Sequence, residues 1–109
     1  MIEVKYNHWY PKLLRVNAVT KKECILIASP SEPFDEVLLK HELIHIYQIR
    51  KIGYVKWKAR YLKEYLAARL KGKSHATAYY QISFEVEAFT KEEEPLTEKE
   101  KQELGLEIS

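Results

Sequence analysis

The stretch His41-Glu42-Leu43-Ile44-His45 constrains this chain more than any other, because it sets two imidazoles and a carboxylate within one and a half turns of one helix. The surrounding run, residues 34–50, reads as that helix. Residues four apart share a helix face, with Cβ atoms about 6 Å from one another. Both rings can therefore reach one metal ion at roughly 2.0–2.1 Å. The glutamate that follows the first histidine then lies beside the water such an ion activates, placed to take its proton as the water attacks a carbonyl. Val37, Leu38, Leu43, Ile44, Ile46 and Ile49 flank the histidines on nearly every side, so the helix is predicted to be buried. A buried helix does not carry His, Glu and His for solubility. His41 and His45 are thus read as metal ligands and Glu42 as a general base.

At 109 residues the chain is one domain near the lower end of what buries an adequate core, where a bound metal would help. Hydrophobic residues at 46% and charged ones at 31% fit a compact chain rather than a disordered one. A net charge of +2 is too small to argue for nucleic acid, and none is expected as a partner. The single cysteine, Cys24, excludes an internal disulfide and suits a reducing compartment. Glu3, Lys5 and His8 interrupt the start, which lacks the apolar run of a signal peptide, and no stretch approaches the 18 or so apolar residues of a membrane helix. The expectation is a soluble cytoplasmic protein without a membrane span.

Ile2, Val4 and Tyr6 alternate with polar residues as a half-buried strand does, ending at Pro11. Residues 13–19 are predicted as a second strand, residues 20–23 as a polar turn, and the apolar run 24–28 as the third and clearest strand. Pro30 and Pro33 break the sheet, and Ser31 or Asp35 is placed to cap the metal helix. Gly53 ends it in the left-handed conformation. A second helix over 55–70 sets Trp57, Tyr61, Tyr65 and Ala68 along a core-facing stripe, with bases over the remainder, and Ser74 caps a third helix over 75–91.

Two histidines need a third protein ligand to make a catalytic site. A continuation H-E-x-x-H-x-x-G-x-x-H is excluded, because Gln48 and Lys51 stand at the glycine and histidine positions. On the third helix Ala78, Ile82, Val86 and Phe89 form an apolar arc with Glu85 at its edge. A carboxylate there is costly unless paired or bound to metal. Glu85 is the first candidate, followed by Glu64, Glu87 and His75.

This order of short strands, His41-Glu42-Leu43-Ile44-His45, an intervening helix and then Glu85-Val86-Glu87-Ala88 resembles the gluzincin metallopeptidases, whose third ligand is a glutamate in a later E-x-x-A pattern. It is most similar to the minigluzincins, minimal soluble domains that resemble the catalytic cores of certain membrane-embedded metallopeptidases. The resemblance spans residues 24–89. The family pattern often has Asp directly after E-x-x-A, supporting a zinc-binding histidine; here that position is Phe89.

The resemblance implies an α+β, minimal zincin-like domain in which a small, mostly antiparallel sheet packs on the H-E-x-x-H helix and a later ligand-bearing helix. It implies one Zn2+ held by His41, His45 and Glu85, and hydrolysis of peptide or protein substrates with Glu42 as base. The strand at residues 25–28 would offer an open edge to an extended substrate, and Tyr79 or Tyr80 a hydroxyl to the oxyanion. Residues 1–91 form the domain and 92–109 an acidic C-terminal segment. In that segment Thr97-Glu98-Lys99-Glu100 has the form of a capping box. As in minigluzincins, the segment is expected to dock residues 96–109 over the cleft and keep the chain latent, within one chain or by exchange in a homodimer. The alternative is a catalytically inactive, zinc-stabilised interaction module, against which the intact Glu42 speaks.

Overall fold

The computed structural model describes residues 2–106 as a small α+β domain with a three-stranded mixed sheet and six helices. The order is β1 (Glu3–Lys5), α1 (Trp9–Leu14), β2 (Ala18–Lys21), β3 (Cys24–Ile27), α2 (Glu36–Ile52), α3 (Tyr54–Leu70), α4 (His75–Tyr80), α5 (Ser83–Lys91) and α6 (Glu98–Glu103).

The sheet is mixed rather than mostly antiparallel. Its order is β1-β3-β2, with β1 parallel to β3 (Val4 opposite Ile25) and β2 antiparallel to it (Thr20 opposite Ile25). The parallel pairing arises because α1 and β2 intervene between β1 and β3. Residues 13–14 were expected in a strand and are helical instead. The His8 side chain accepts the Tyr10 N–H, Pro11 sits in the first turn, where a missing N–H costs nothing, and Arg15 ends the turn at φ 59°. The expected turn at 20–23 shrinks to Lys22 and Glu23, which returns Thr20 and Lys21 to β2. The apolar strand β3 is central, paired on both sides, so the edge near the metal helix belongs to β2.

Helix α2 is capped by Asp35, whose carboxylate accepts the Leu38 N–H at 3.0 Å. It is buried from two sides. One core joins Ile25 and Ile27 of the sheet to Leu39, Leu43 and Ile46, with Ile2, Leu96 and Leu104 closing it. The other joins Ile49 to Trp57, Ile82 and Phe84. Gly53 both ends α2 and opens α3, at φ 89° and ψ 150°. That is not the left-handed conformation expected, but an extended region that essentially only glycine enters, and it lets two long helices meet with one residue between them.

The predicted third helix is two helices, α4 and α5, interrupted at Gln81 and Ile82. Glu64 of α3 supplies the cap that Ile82 cannot, accepting the Ser83 N–H at 2.8 Å and its hydroxyl at 2.9 Å. The break rephases α5. Val86 turns outward, while Glu85 goes from the margin of the expected arc to the interior.

The capping box at Thr97 and Glu100 is formed. In the C-terminal segment Glu92 reaches His41, whereas residues 96–106 contact Glu36, Lys40, Tyr47, Ile2 and the sheet core. Glu100 pairs with the Lys40 ammonium at 2.9 Å and accepts the Tyr47 hydroxyl at 3.0 Å. Lys40 is about 100° round the helix from His41. Ile2 N–H donates to the Glu103 carbonyl at 2.9 Å, so α6 packs beside β1. Ile108 and Ser109 lie outside the described residues. Among the described residues no helix is long and apolar enough to cross a membrane.

Candidate metal centre

His41 and His45 face the same side of α2, their ring centroids 4.9 Å apart. The metal-ligating atoms of His41, Glu42 and His45 all lie within 4.8 Å of one another, a buried group that could hold a metal ion. From α5, Glu85 Oε1 comes to 2.8 Å from His41 Nε2 and 3.1 Å from His45 Nε2. The four side chains are only 3–7% exposed. One Glu85 oxygen is thus shared between the two rings. The remaining candidates are occupied elsewhere: Glu64 caps α5, Glu87 accepts from the Gln48 amide at 2.7 Å, and His75 is bonded to the exposed Tyr65 hydroxyl.

The outer nitrogens fix the ring tautomers. His41 Nδ1 lies 2.8 Å from Glu92 Oε2, and an ionised carboxylate only accepts, so this nitrogen carries a proton. His45 Nδ1 lies 2.9 Å from Gln48 Oε1. The amide orientation of Gln48 is set by the Trp57 indole donating to Oε1 and by Nε2 donating to the Phe84 carbonyl and Glu87. His45 Nδ1 is therefore a donor as well. Both neutral rings then direct an Nε2 lone pair at the same carboxylate oxygen. Such an arrangement needs either extra protons or a cation, and two imidazoles with a carboxylate can hold a metal ion.

Without a cation, protons fill that role. Burial favours the neutral form of His41, but the Glu85 hydrogen bond, the Glu42 charge and the Glu92 hydrogen bond outweigh it and raise its pKa to about 9. His45 is raised too, against the same opposition from burial. Burial pushes the Glu85 carboxyl upward, yet hydrogen bonds to His41 and His45 hold it well below the usual carboxylate range.

Four residues that complete the centre escaped sequence reasoning. Glu92, the C-cap of α5, accepts from His41 Nδ1; its place in an acidic run disguised it. Phe89 packs edge-on against the His41 ring, with centroids 4.6 Å apart. Gln48 was visible only as the residue that excludes a longer zinc motif. Tyr61, read as part of a packing stripe, donates to Glu85 Oε2 at 2.5 Å. Burial, and then the Glu85 charge, drive its pKa upward, so the phenol stays protonated. Thr20 of β2 donates to Glu42 Oε1 at 2.7 Å. Of the two tyrosines expected near an oxyanion, Tyr79 is raised in pKa by burial and by Glu85, whereas Tyr80 is mostly exposed and packs on Phe89.

Comparison with protein-family models, with curated proteins and with solved structures finds no match to this chain.

Proposed function

We propose that this chain is a zinc-dependent metallopeptidase of gluzincin type, with His41, His45 and Glu85 as ligands and Glu42 as the general base. The observation that carries the reading is the single Glu85 oxygen shared by two Nε2 atoms whose rings send their Nδ1 protons outward to Glu92 and Gln48. A bound zinc ion would polarise the scissile carbonyl and make water a nucleophile near neutral pH.

Glu42 takes the proton released in the attack and delivers it to the departing amine, so one water is consumed and an acid and an amine are formed. The Thr20 hydroxyl holds one Glu42 oxygen and leaves the other for that transfer. Tyr61 anchors Glu85 Oε2, which keeps Oε1 turned toward the histidines. An extended peptide would add to the outer edge of β2, the strand that also carries Thr20. Phe89 edge-on to His41 and Trp57 edge-on to His45 enclose the centre, and Glu92 of the C-terminal segment, expected to keep the chain latent, closes on His41, so the chain is read as a latent form.

The same enclosure favours a second reading, a zinc-stabilised interaction module without turnover. Against it stands the Thr20–Glu42 bond, since a purely structural site has no use for a positioned base beside its ligands. Metal analysis together with quenched-peptide turnover, for wild type and Glu42→Gln, separates the two. One zinc per chain with turnover abolished in the variant is expected. Zinc without turnover in either protein would leave the module or a latent form, and absence of zinc would sink both.

A further inference from the structure

Helix α3 has two apolar faces, and only one of them is used. Trp57, Tyr61 and Tyr65 pack inward on the centre and its core. On the opposite side Val55, Leu62, Leu66 and Leu70 are 80%, 46%, 55% and 89% exposed. At about 100° per residue these four fall within one narrow stripe, together with the exposed Ala59. A 17-residue helix makes that stripe roughly 25 Å long.

Charge decides what can cover it. Lys56 and Lys63 border the stripe on one side, Lys58 and Arg69 on the other, and all four are exposed. The one acid of α3, Glu64, faces inward, bound to Arg60 and Ser83. Among the described residues none of the four bordering bases is ion-paired with a carboxylate. A second copy docking through its own α3 would set bases against bases, with no acid on this face to pair them. We propose that α3 is an interfacial docking helix for an anionic lipid surface. Its leucines enter the headgroup boundary, and the flanking lysine stems run along the apolar surface to hold their ammonium groups at the phosphates. The proposal is independent of the peptidase reading, since the stripe faces away from the histidines.

The test is cosedimentation of the full chain with vesicles of phosphatidylcholine alone and of phosphatidylcholine mixed with phosphatidylglycerol. Each base near an anionic surface strengthens binding about fivefold. The mixed vesicles should therefore bind at least about tenfold more tightly, with the advantage shrinking in high salt. Two double variants, Leu66→Ser with Leu70→Ser and Lys56→Gln with Lys63→Gln, alter only exposed side chains, and circular dichroism checks that each stays folded. Each should weaken binding to mixed vesicles at least about tenfold. Equal binding to both vesicles, or none, overturns the proposal. So does a leucine variant that binds as wild type, which would mark simple anion attraction of the kind nucleic acid also satisfies. A concentration-dependent dimer dissolved by the leucine substitutions would assign the stripe to a second copy instead.

Discussion

The Thr20 hydroxyl and the Glu42 carboxylate, 22 residues apart in sequence, meet at 2.7 Å and join the edge strand β2 to the helix that carries both histidines. The same hydroxyl lies 3.4 Å from the Glu42 carbonyl. Strand and base are therefore held in one register. Thr20→Val keeps the shape and removes the donor. Zinc content should be unchanged, while kcat falls about tenfold, a fraction of the 10²–10⁴ that a general base supplies. Parallel measurement of metal content and turnover checks this, and an unchanged kcat would leave Thr20 a packing residue.

Glu92 should govern metal affinity without binding metal. Glu92→Ala removes the acceptor for His41 Nδ1–H and is expected to weaken zinc binding roughly 10–100-fold. Glu92→Gln retains an acceptor and should lose less. Competition with a chromogenic chelator ranks the two variants, and the opposite ranking would show that charge rather than ring orientation is what Glu92 contributes.

Glu85→Ala should reduce zinc affinity far more than Glu87→Ala. Glu85 contacts both Nε2 atoms, whereas Glu87 reaches the centre only through Gln48. The same chelator competition reads this out; comparable losses would mean that α5 presents a different carboxylate to the ion.

Truncation after Glu94 should unfold the protein rather than activate it. It removes Leu96 and Leu104 from the main core, at about 1.5–3 kcal/mol each. It also strands the Lys40 ammonium, which is buried against Glu100. Chemical denaturation of intact and truncated chains tests this; a truncated chain of unchanged stability would contradict it.

Acid gives a finer probe of the same contact. Burial raises the Glu100 carboxyl, but the Thr97 backbone and Lys40 lower it further, so its net shift is below the unfolded value of 4.5. Such a group stabilises the fold above that value, and the contribution is lost as pH falls through the folded pKa. Thermal melts of wild type and Glu100→Gln should therefore converge as pH drops below 4.5 and separate at neutral pH. A constant gap would assign the contact to packing.

The parts of the centre that lie close together in sequence were legible without a structure. The His41, Glu42 and His45 geometry follows from helix period alone, and Glu85 could be singled out because a buried carboxylate needs a reason. Gln48, Thr20 and Tyr61 were not legible, because each reaches the centre from a polar or aromatic position whose local role is ordinary. The parallel pairing of β1 was hidden by α1, where an apolar Leu-Leu pair reads as strand until His8 and Pro11 are seen to start a turn. The break between α4 and α5 has neither Gly nor Pro to announce it. It depends on Glu64, a cap contributed by another helix.

Ile2 and Leu104 share one cluster, and this sets an order of events during synthesis. About sixty residues separate His45 from Leu104, and a ribosome adding roughly 5–20 residues per second needs about 3–12 s to make them. Throughout that interval the face of α2 that carries Leu39, Leu43 and Ile46 has the sheet beside it but lacks the closing leucines. The two sides of the helix therefore close at different times: the side that carries the histidines when Trp57, Glu85 and Phe89 have been made, and the side that packs on the sheet when Leu104 arrives.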